Sequence, residues 1–207
     1  MSRTKDRRSF NFNSIIKKIM SILGSKKLKI PSNVEIELNE NTIVLSSRLG
    51  KLIHNVHSEF CINLTKDELL NKSSLKLSPK KTHTKNLTKQ IKTLWGTEYS
   101  NIKNSIEGIS KGYSLSLNLK GVGFKANISK NSLNLKLGYS HEVTFLIPEN
   151  IIIQCPKPDK LFIFGIDKKH VHTVVSDIQR LKDKDVYKGK GILLENERII
   201  LKEGKKK

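Results

Sequence analysis

The chain has 207 residues, room for one ordinary domain or two small ones, and is 36% hydrophobic and 6% aromatic. Lysine and arginine outnumber aspartate and glutamate by 39 to 19, a net charge of +20; self-repulsion of that size wants a polyanionic partner, which puts nucleic acid ahead of a soluble enzyme that happens to be basic. Cys61 and Cys155 lie far apart in no C-x-x-C spacing, and the apolar runs are short and broken by lysine, so a disulfide framework, a zinc module and a membrane span are all excluded as readings.

Residues 1–29, opening MSRTKDRRSF, form a basic, partly amphipathic N-terminal arm. Its composition is that of a mitochondrial targeting peptide, but we read it as retained in the mature chain. In IPSNVEIELNENTIVLSSRLG, Val34, Ile36 and Leu38 alternate with polar residues, 39–41 turns, and 43–45 resumes the apolar pattern: a hairpin. Residues 59–93 are rich in Lys, Thr, Ser and Asn and predict short strands and a polar loop. From Thr97, read as an N-cap, Ile102, Ile106 and Ile109 recur at helical spacing until Gly112 supplies a stop.

The second half opens with a half-buried strand in which Leu115, Leu117 and Leu119 face one way and Ser114, Ser116 and Asn118 the other. A strand through Phe124, Ala126 and Ile128 turns at SKNS into a third through Leu133, Leu135 and Leu137. Extended runs follow at 143–147, 151–155 and 161–164. Asp167 then caps a helix whose apolar positions are Val171, Val174, Val175, Ile178 and Leu181. The pattern closes on a hairpin, with 192–194 and 199–201 joined by a turn at 195–197.

An internal repeat is visible. IPSNVEIEL from Ile30 and IPENIIIQC from Ile147 share Ile, Pro, Asn and a second Ile at matching places, and each is followed by strand and later by an amphipathic helix. The spacing suits two copies of one small domain and not a solenoid. The fold class expected is therefore α+β: two tandem duplicated small domains, each an antiparallel-rich sheet packed by an amphipathic helix, with the basic arm in front. The boundaries expected are 1–29 for the arm, 30–112 for the first domain and 113–207 for the second with its basic tail.

Several motifs resemble catalytic or cofactor signatures and fail on context. Gly121-Val-Gly123-Phe-Lys-Ala126 fits G-x-G-x-x-A, but a dinucleotide site needs a helix next, and an alternating strand follows. Gly138-Tyr-Ser140-His141 has Glu142 where a nucleophile elbow closes on glycine. The terminal KGKG has Gly191 where a P-loop places a hydroxyl on magnesium. His54, His57 and Cys61, or His170 with His172, are too few for a metal and read as surface histidines. Carboxylates are scattered, with no pair for acid–base work. No catalytic residue, metal, cofactor or small-molecule substrate is expected.

Positive charge gathers in four places: the arm (Arg3, Lys5, Arg7, Arg8, Lys17, Lys18, Lys26, Lys27, Lys29), the polar loop (Lys76, Lys80, Lys81, Lys85), the start of the second helix (Lys168, Lys169), and the end of the chain (Lys188, Lys190, Lys202, Lys205, Lys206, Lys207). At Lys168 and Lys169 the helix N-terminal amides also favour phosphate.

The order GVGFKA, LNLKLGYSHEV, GIDKKHV and YKGKGI with KEGKKK, extended forward by IPSNVEI and LWGTEYSNIKNSIEG, resembles the L-six family of large-subunit ribosomal proteins, bacterial and organellar type. The resemblance runs from about residue 30 to the end and is more specific in the second half. It implies a duplicated α+β domain, and binding to the 3′-terminal domain of large-subunit rRNA near the sarcin–ricin loop and the factor-binding region. It also implies that the second domain, with its Tyr187–Ile192 segment, makes the principal contact. The family's prolines before the Tyr187 position are replaced here by KDKDV, and Lys169, His170 and His172 alter the face of the second helix.

The expected rRNA-binding residues are Lys168, Lys169, Tyr187, Lys188, Gly189, Lys190, Gly191, Lys202, Lys205, Lys206 and Lys207. Gly189 and Gly191 would let the main chain lie against an RNA backbone while Lys188 and Lys190 pair phosphates; Tyr187 either stacks on a base or ribose or packs at the hairpin root. The partners expected are rRNA and neighbouring ribosomal proteins, with translation factors nearby. Abundant Lys, Asn and Ile, with the retained arm, favour a mitochondrial ribosome, and a bacterial cytoplasm second. The alternatives are an RNA-binding module outside the ribosome or an RNA-modifying enzyme on a basic scaffold.

Overall fold

The computed structural model describes residues 26–39, 41–67, 72–80 and 89–204. Most of the arm, the Lys81–Lys85 part of the polar loop, and Lys205, Lys206 and Lys207 lie outside the described residues. The chain divides into two compact units, Met1–Leu45 with Ile53–Ile106, and Ser46–Leu52 with Glu107–Lys207. The architecture is α+β, with antiparallel sheets and amphipathic helices in alternation.

In the first unit β1 (Leu28–Lys29), β5 (Phe60–Asp67) and β6 (Lys72–Pro79) form one sheet in the order β1-β6-β5. A second sheet takes the order β2-β3-β4, from β2 (Glu35–Leu38), β3 (Thr42–Ser47) and β4 (Gly50–Asn55). The expected hairpin is the β2–β3 pair: Asn39 and Thr42 exchange backbone hydrogen bonds across the turn. Ile43, Leu45, Leu75 and Leu77 are fully buried, as alternation requires of strands with one dry face.

Helix α1 runs Lys89–Lys111, eight residues longer at its start than expected. Thr97 is an interior residue, its Oγ1 donating to the Thr93 carbonyl at 3.1 Å. A threonine is a good cap but can also bond back to the carbonyl four residues earlier, and here it does the latter. The buried stripe runs through Tyr99, Ile102, Ile106 and Ile109, preceded by half-buried Trp95, whose Nε1 donates to the Leu77 carbonyl at 3.2 Å. Gly112 ends the helix as expected, with φ 75° and its N–H on the Gly108 carbonyl at 2.7 Å.

The second unit holds β7 (Tyr113–Lys120), β8 (Lys125–Ser129), β9 (Ser132–Lys136), β10 (Val143–Leu146), β11 (Ile151–Lys157), β12 (Lys160–Gly165), α2 (Lys168–Arg180) and β13 (Gly191–Leu194). A four-stranded antiparallel sheet has the order β11-β12-β7-β13, and a three-stranded one the order β10-β9-β8. The buried face of α2 (Val171, Val174, Val175, Ile178) joins Leu117, Leu119, Leu161, Ile163 and Ile192 of the larger sheet and Leu133 and Leu135 of the smaller in one core. Each such side chain contributes about 1.5–3 kcal/mol on leaving water.

The two halves of the internal repeat make the same turn. Val34 N–H bonds the Pro31 carbonyl at 3.2 Å, and Ile151 N–H bonds the Pro148 carbonyl at 3.1 Å, each just ahead of a strand.

The closing hairpin does not form. Among the described residues β13 pairs with β7 alone, and 199–201 stays irregular with Ile200 87% exposed. Glu197 explains it: its N–H bonds the Leu194 carbonyl at 2.9 Å and its Oε2 accepts from the Leu194 N–H at 3.3 Å, so the groups a returning strand would need are taken. The chain instead reaches the loop before β13, where Lys202 N–H bonds the Val186 carbonyl at 3.0 Å.

Candidate nucleic-acid interface

The loop joining α2 to β13, residues 181–190, carries the densest group of expected site residues, and its shape is set by Asp185. One oxygen of that carboxylate, Oδ1, accepts from the N–H of Tyr187 at 2.8 Å and of Lys188 at 3.2 Å. The Asp185 N–H donates to the Lys190 carbonyl at 2.8 Å, and its carbonyl accepts from Gly189 N–H at 2.9 Å. These four bonds make an Asx-type turn closed on itself. The two amide donors, with the nearby Lys188 and Lys190 ammonium groups, hold the Asp185 carboxyl below the ordinary carboxylate range.

The turn puts Tyr187 and Lys188 on the outside, Tyr187 being 61% exposed. It therefore does not pack as a hairpin root, a hairpin that is absent in any case. Gly189 (φ 66°) and Gly191 (φ 138°) both have backbones that side chains resist. A Cβ on Gly191 would stand 3.1 Å from the Asp183 oxygen and the Lys184 Cα, and one on Gly189 would stand 3.2 Å from Leu201 Cδ2. Both glycines thus have reasons internal to the chain, and Gly191, as the buried first residue of β13, has its main chain committed to the sheet.

Around the turn, lysines divide into paired and outward ones. Lys184 is bonded to Glu197 Oε1, and Lys160 to Glu195 Oε1 at 2.6 Å. Lys182 Nζ stands 4.1 Å from the centroid of Tyr139, whose hydroxyl donates to the Leu181 carbonyl at 3.1 Å. Lys188, Lys190 and Lys202 lie on or beside the turn, Lys202 through its bond to Val186.

Lys168 and Lys169 belong to a different place. They open α2 while the turn follows its end, so the two groups are about 20 Å apart along the helix. One of the N-terminal amides expected to favour phosphate is already occupied, since Asp167 Oδ1 accepts from Lys169 N–H at 2.9 Å. Lys168 lies over the Tyr113 ring, 5.6 Å from its centroid. Burial, and then the Glu107 carboxylate, push the Tyr113 hydroxyl above its ordinary value.

Asp185 escaped the sequence reading, although an aspartate two and three residues ahead of amides needing partners is a legible Asx signal. The G-x-G-x-x-A stretch is a strand connection, as read: β8 follows Gly121–Phe124, where the Phe124 N–H bonds the Gly121 carbonyl at 3.3 Å in a turn. His54, expected at the surface, is instead mostly buried and bonded to Glu98 Oε2 at 3.2 Å. Among the described residues no group of three or more His, Cys, Asp or Glu is placed to hold a metal ion. No described helix is long and apolar enough to cross a membrane.

Comparison with known proteins agrees with the resemblance. The family model described as ribosomal protein L6 matches residues 120–194, which takes in α2 and the whole turn. A large ribosomal subunit protein uL6m of Reclinomonas americana is 42% identical over 188 residues, covering 91% of this chain and 100% of that one. The uL6 of Metamycoplasma arthritidis is 36% identical over 90% of this chain and 98% of its own, and that of Paramagnetospirillum magneticum 32% identical over 91% and 100%. With relatives this similar aligned across essentially their full lengths, the chain belongs to the ribosomal protein L6 family.

Proposed function

We propose that this protein is a non-catalytic structural constituent of the large ribosomal subunit that binds the 3′-terminal domain of the large-subunit rRNA, near the sarcin–ricin loop and the factor-binding region. Full-length likeness to proteins named large ribosomal subunit protein carries this reading. In it, residues 30–112 and 113–207 act as two duplicated domains and the second is the main RNA contact. The matching turns at Pro31 and Pro148 support the duplication.

Within the second domain the Tyr187–Gly191 turn is the principal grip. Tyr187 and Lys188 face solvent, Lys190 and Lys202 add charge, and the glycines shape the turn; Lys205, Lys206 and Lys207 extend the same basic run. A preformed turn bearing lysines suits double-helical RNA, which offers phosphate, shape and 2′-hydroxyls rather than a readable major groove. Lys168 and Lys169 form a second, separate contact at the other end of α2. Neighbouring ribosomal proteins surround the site, and translation factors bind nearby. The ribosome is mitochondrial, a reading supported by the uL6m relative at 42% identity.

The test is sedimentation of a native lysate through a high-salt sucrose gradient, with the protein located by mass spectrometry. Comigration with the large subunit is expected, and Lys188→Glu with Lys190→Glu should move most of the protein to the soluble fractions. Wild type found only in those fractions would end the ribosomal reading. A double variant that incorporates normally would end the assignment of the grip.

A further inference from the structure

We infer that Asp185 is a positioning residue for RNA binding: its carboxylate holds the Tyr187–Gly191 turn in the shape that contacts phosphate, so that an anion inside a basic site strengthens the binding of a polyanion. This rests on the RNA-binding reading of the turn. Simple electrostatics gives the opposite sign, since an aspartate beside Lys188 and Lys190 repels phosphate and its removal should help.

The geometry decides between them. Residues 181–190 contain no proline to stiffen the approach, and β13 begins only at Gly191. Two donors converge on Asp185 Oδ1, from the residues that bear the outward tyrosine and lysine, at 2.8 and 3.2 Å. Two further backbone bonds start from the same residue, to Lys190 and from Gly189. Without the carboxylate the amides of Tyr187 and Lys188 lose their partner. The turn then samples other shapes, and the cost of ordering it moves from folding to binding.

The anion itself is not what the turn needs; it needs an acceptor at that distance. Asparagine supplies an oxygen in the same place without the charge, so the two sources of effect separate cleanly.

The experiment measures affinity of the full-length protein for an in vitro transcript of the 3′-terminal domain of large-subunit rRNA, comparing wild type, Asp185→Ala, Asp185→Asn and the double variant Lys188→Glu with Lys190→Glu. Amide hydrogen exchange at Tyr187 and Lys188 is followed in the same proteins without RNA. Asp185→Ala should weaken binding about 3- to 10-fold, the size of a lost cap, and release both amides to exchange. Asp185→Asn should keep both amides protected and bind at least as tightly as wild type. Binding by Asp185→Ala that equals or exceeds wild type would overturn the inference, as would equal weakening by alanine and asparagine. If the double lysine variant binds normally while Asp185→Ala still frees the amides, the RNA reading of the turn fails and the account of its shape survives.

Discussion

Asp185, Glu195 and Glu197 are three anions in a strongly basic chain, and each is bonded within its own unit. Amide donors from Tyr187 and Lys188 hold Asp185 below the ordinary carboxylate range; Lys160 does so for Glu195, and Lys184 for Glu197. A carboxyl whose pKa falls on folding releases its proton more readily in the native state. Its contribution is therefore complete above the unfolded value, about 4, and disappears as pH drops through the folded value. Thermal midpoints should be level from pH 7 to about 5 and fall below about 4. Melts of Glu195→Gln with Glu197→Gln should fall less steeply over the acid range; an unchanged acid slope would remove these two groups from the account. Glu195 and Glu197 were not visible as determinants in the sequence, because what makes each matter is a partner thirty-five or thirteen residues away; Asp185 was missed although its contacts are local.

Helix α2 was legible in full, from Asp167 as its cap to the apolar positions at Val171, Val174, Val175 and Ile178, since cap chemistry and a 3.6-residue period agree there. The start of α1 was not, because eight residues precede Thr97 in the helix and only Trp95 among them signals the continuing stripe. The alternation in 199–201 reads as the second strand of a hairpin because alternation cannot tell a paired strand from a segment displaced by a side chain such as Glu197. Ile178 is fully buried at the centre of the core that α2 shares with both sheets. Ile178→Ala should cost about 2–5 kcal/mol, a cavity as well as a transfer loss. Urea unfolding of that variant would check it, and a loss under about 1 kcal/mol would mean the site collapses on substitution.

For the molecule as a whole, a charge of +20 over 207 residues works against its own compaction until a polyanion is bound. If six or more phosphates are neutralised in the complex, affinity for the rRNA transcript should fall by about 10³ or more between 50 and 200 mM salt. A flat response in the same titration would point to a protein surface as the partner. The duplication and the basic balance were readable from composition and a nine-residue repeat. So was the separation of Lys168 and Lys169 from Lys188 and Lys190, since the cap and period of α2 already set a helix of thirteen residues with one pair at its start and the other past its end.

The outward edge of β13 has a consequence for the protein before it meets RNA. Along that edge the Ile192 carbonyl accepts from Gln179 Nε2 at 3.4 Å, and both polar groups of Leu194 are taken by Glu197. On the opposite border of the sheet, β11 carries Pro156, which has no N–H, within the irregular register between Gln154 and Lys157. Neither margin offers a clean ladder for a foreign strand to extend. A newly made copy awaiting assembly should therefore add a foreign strand poorly along these stretches, through side chains and not through burial.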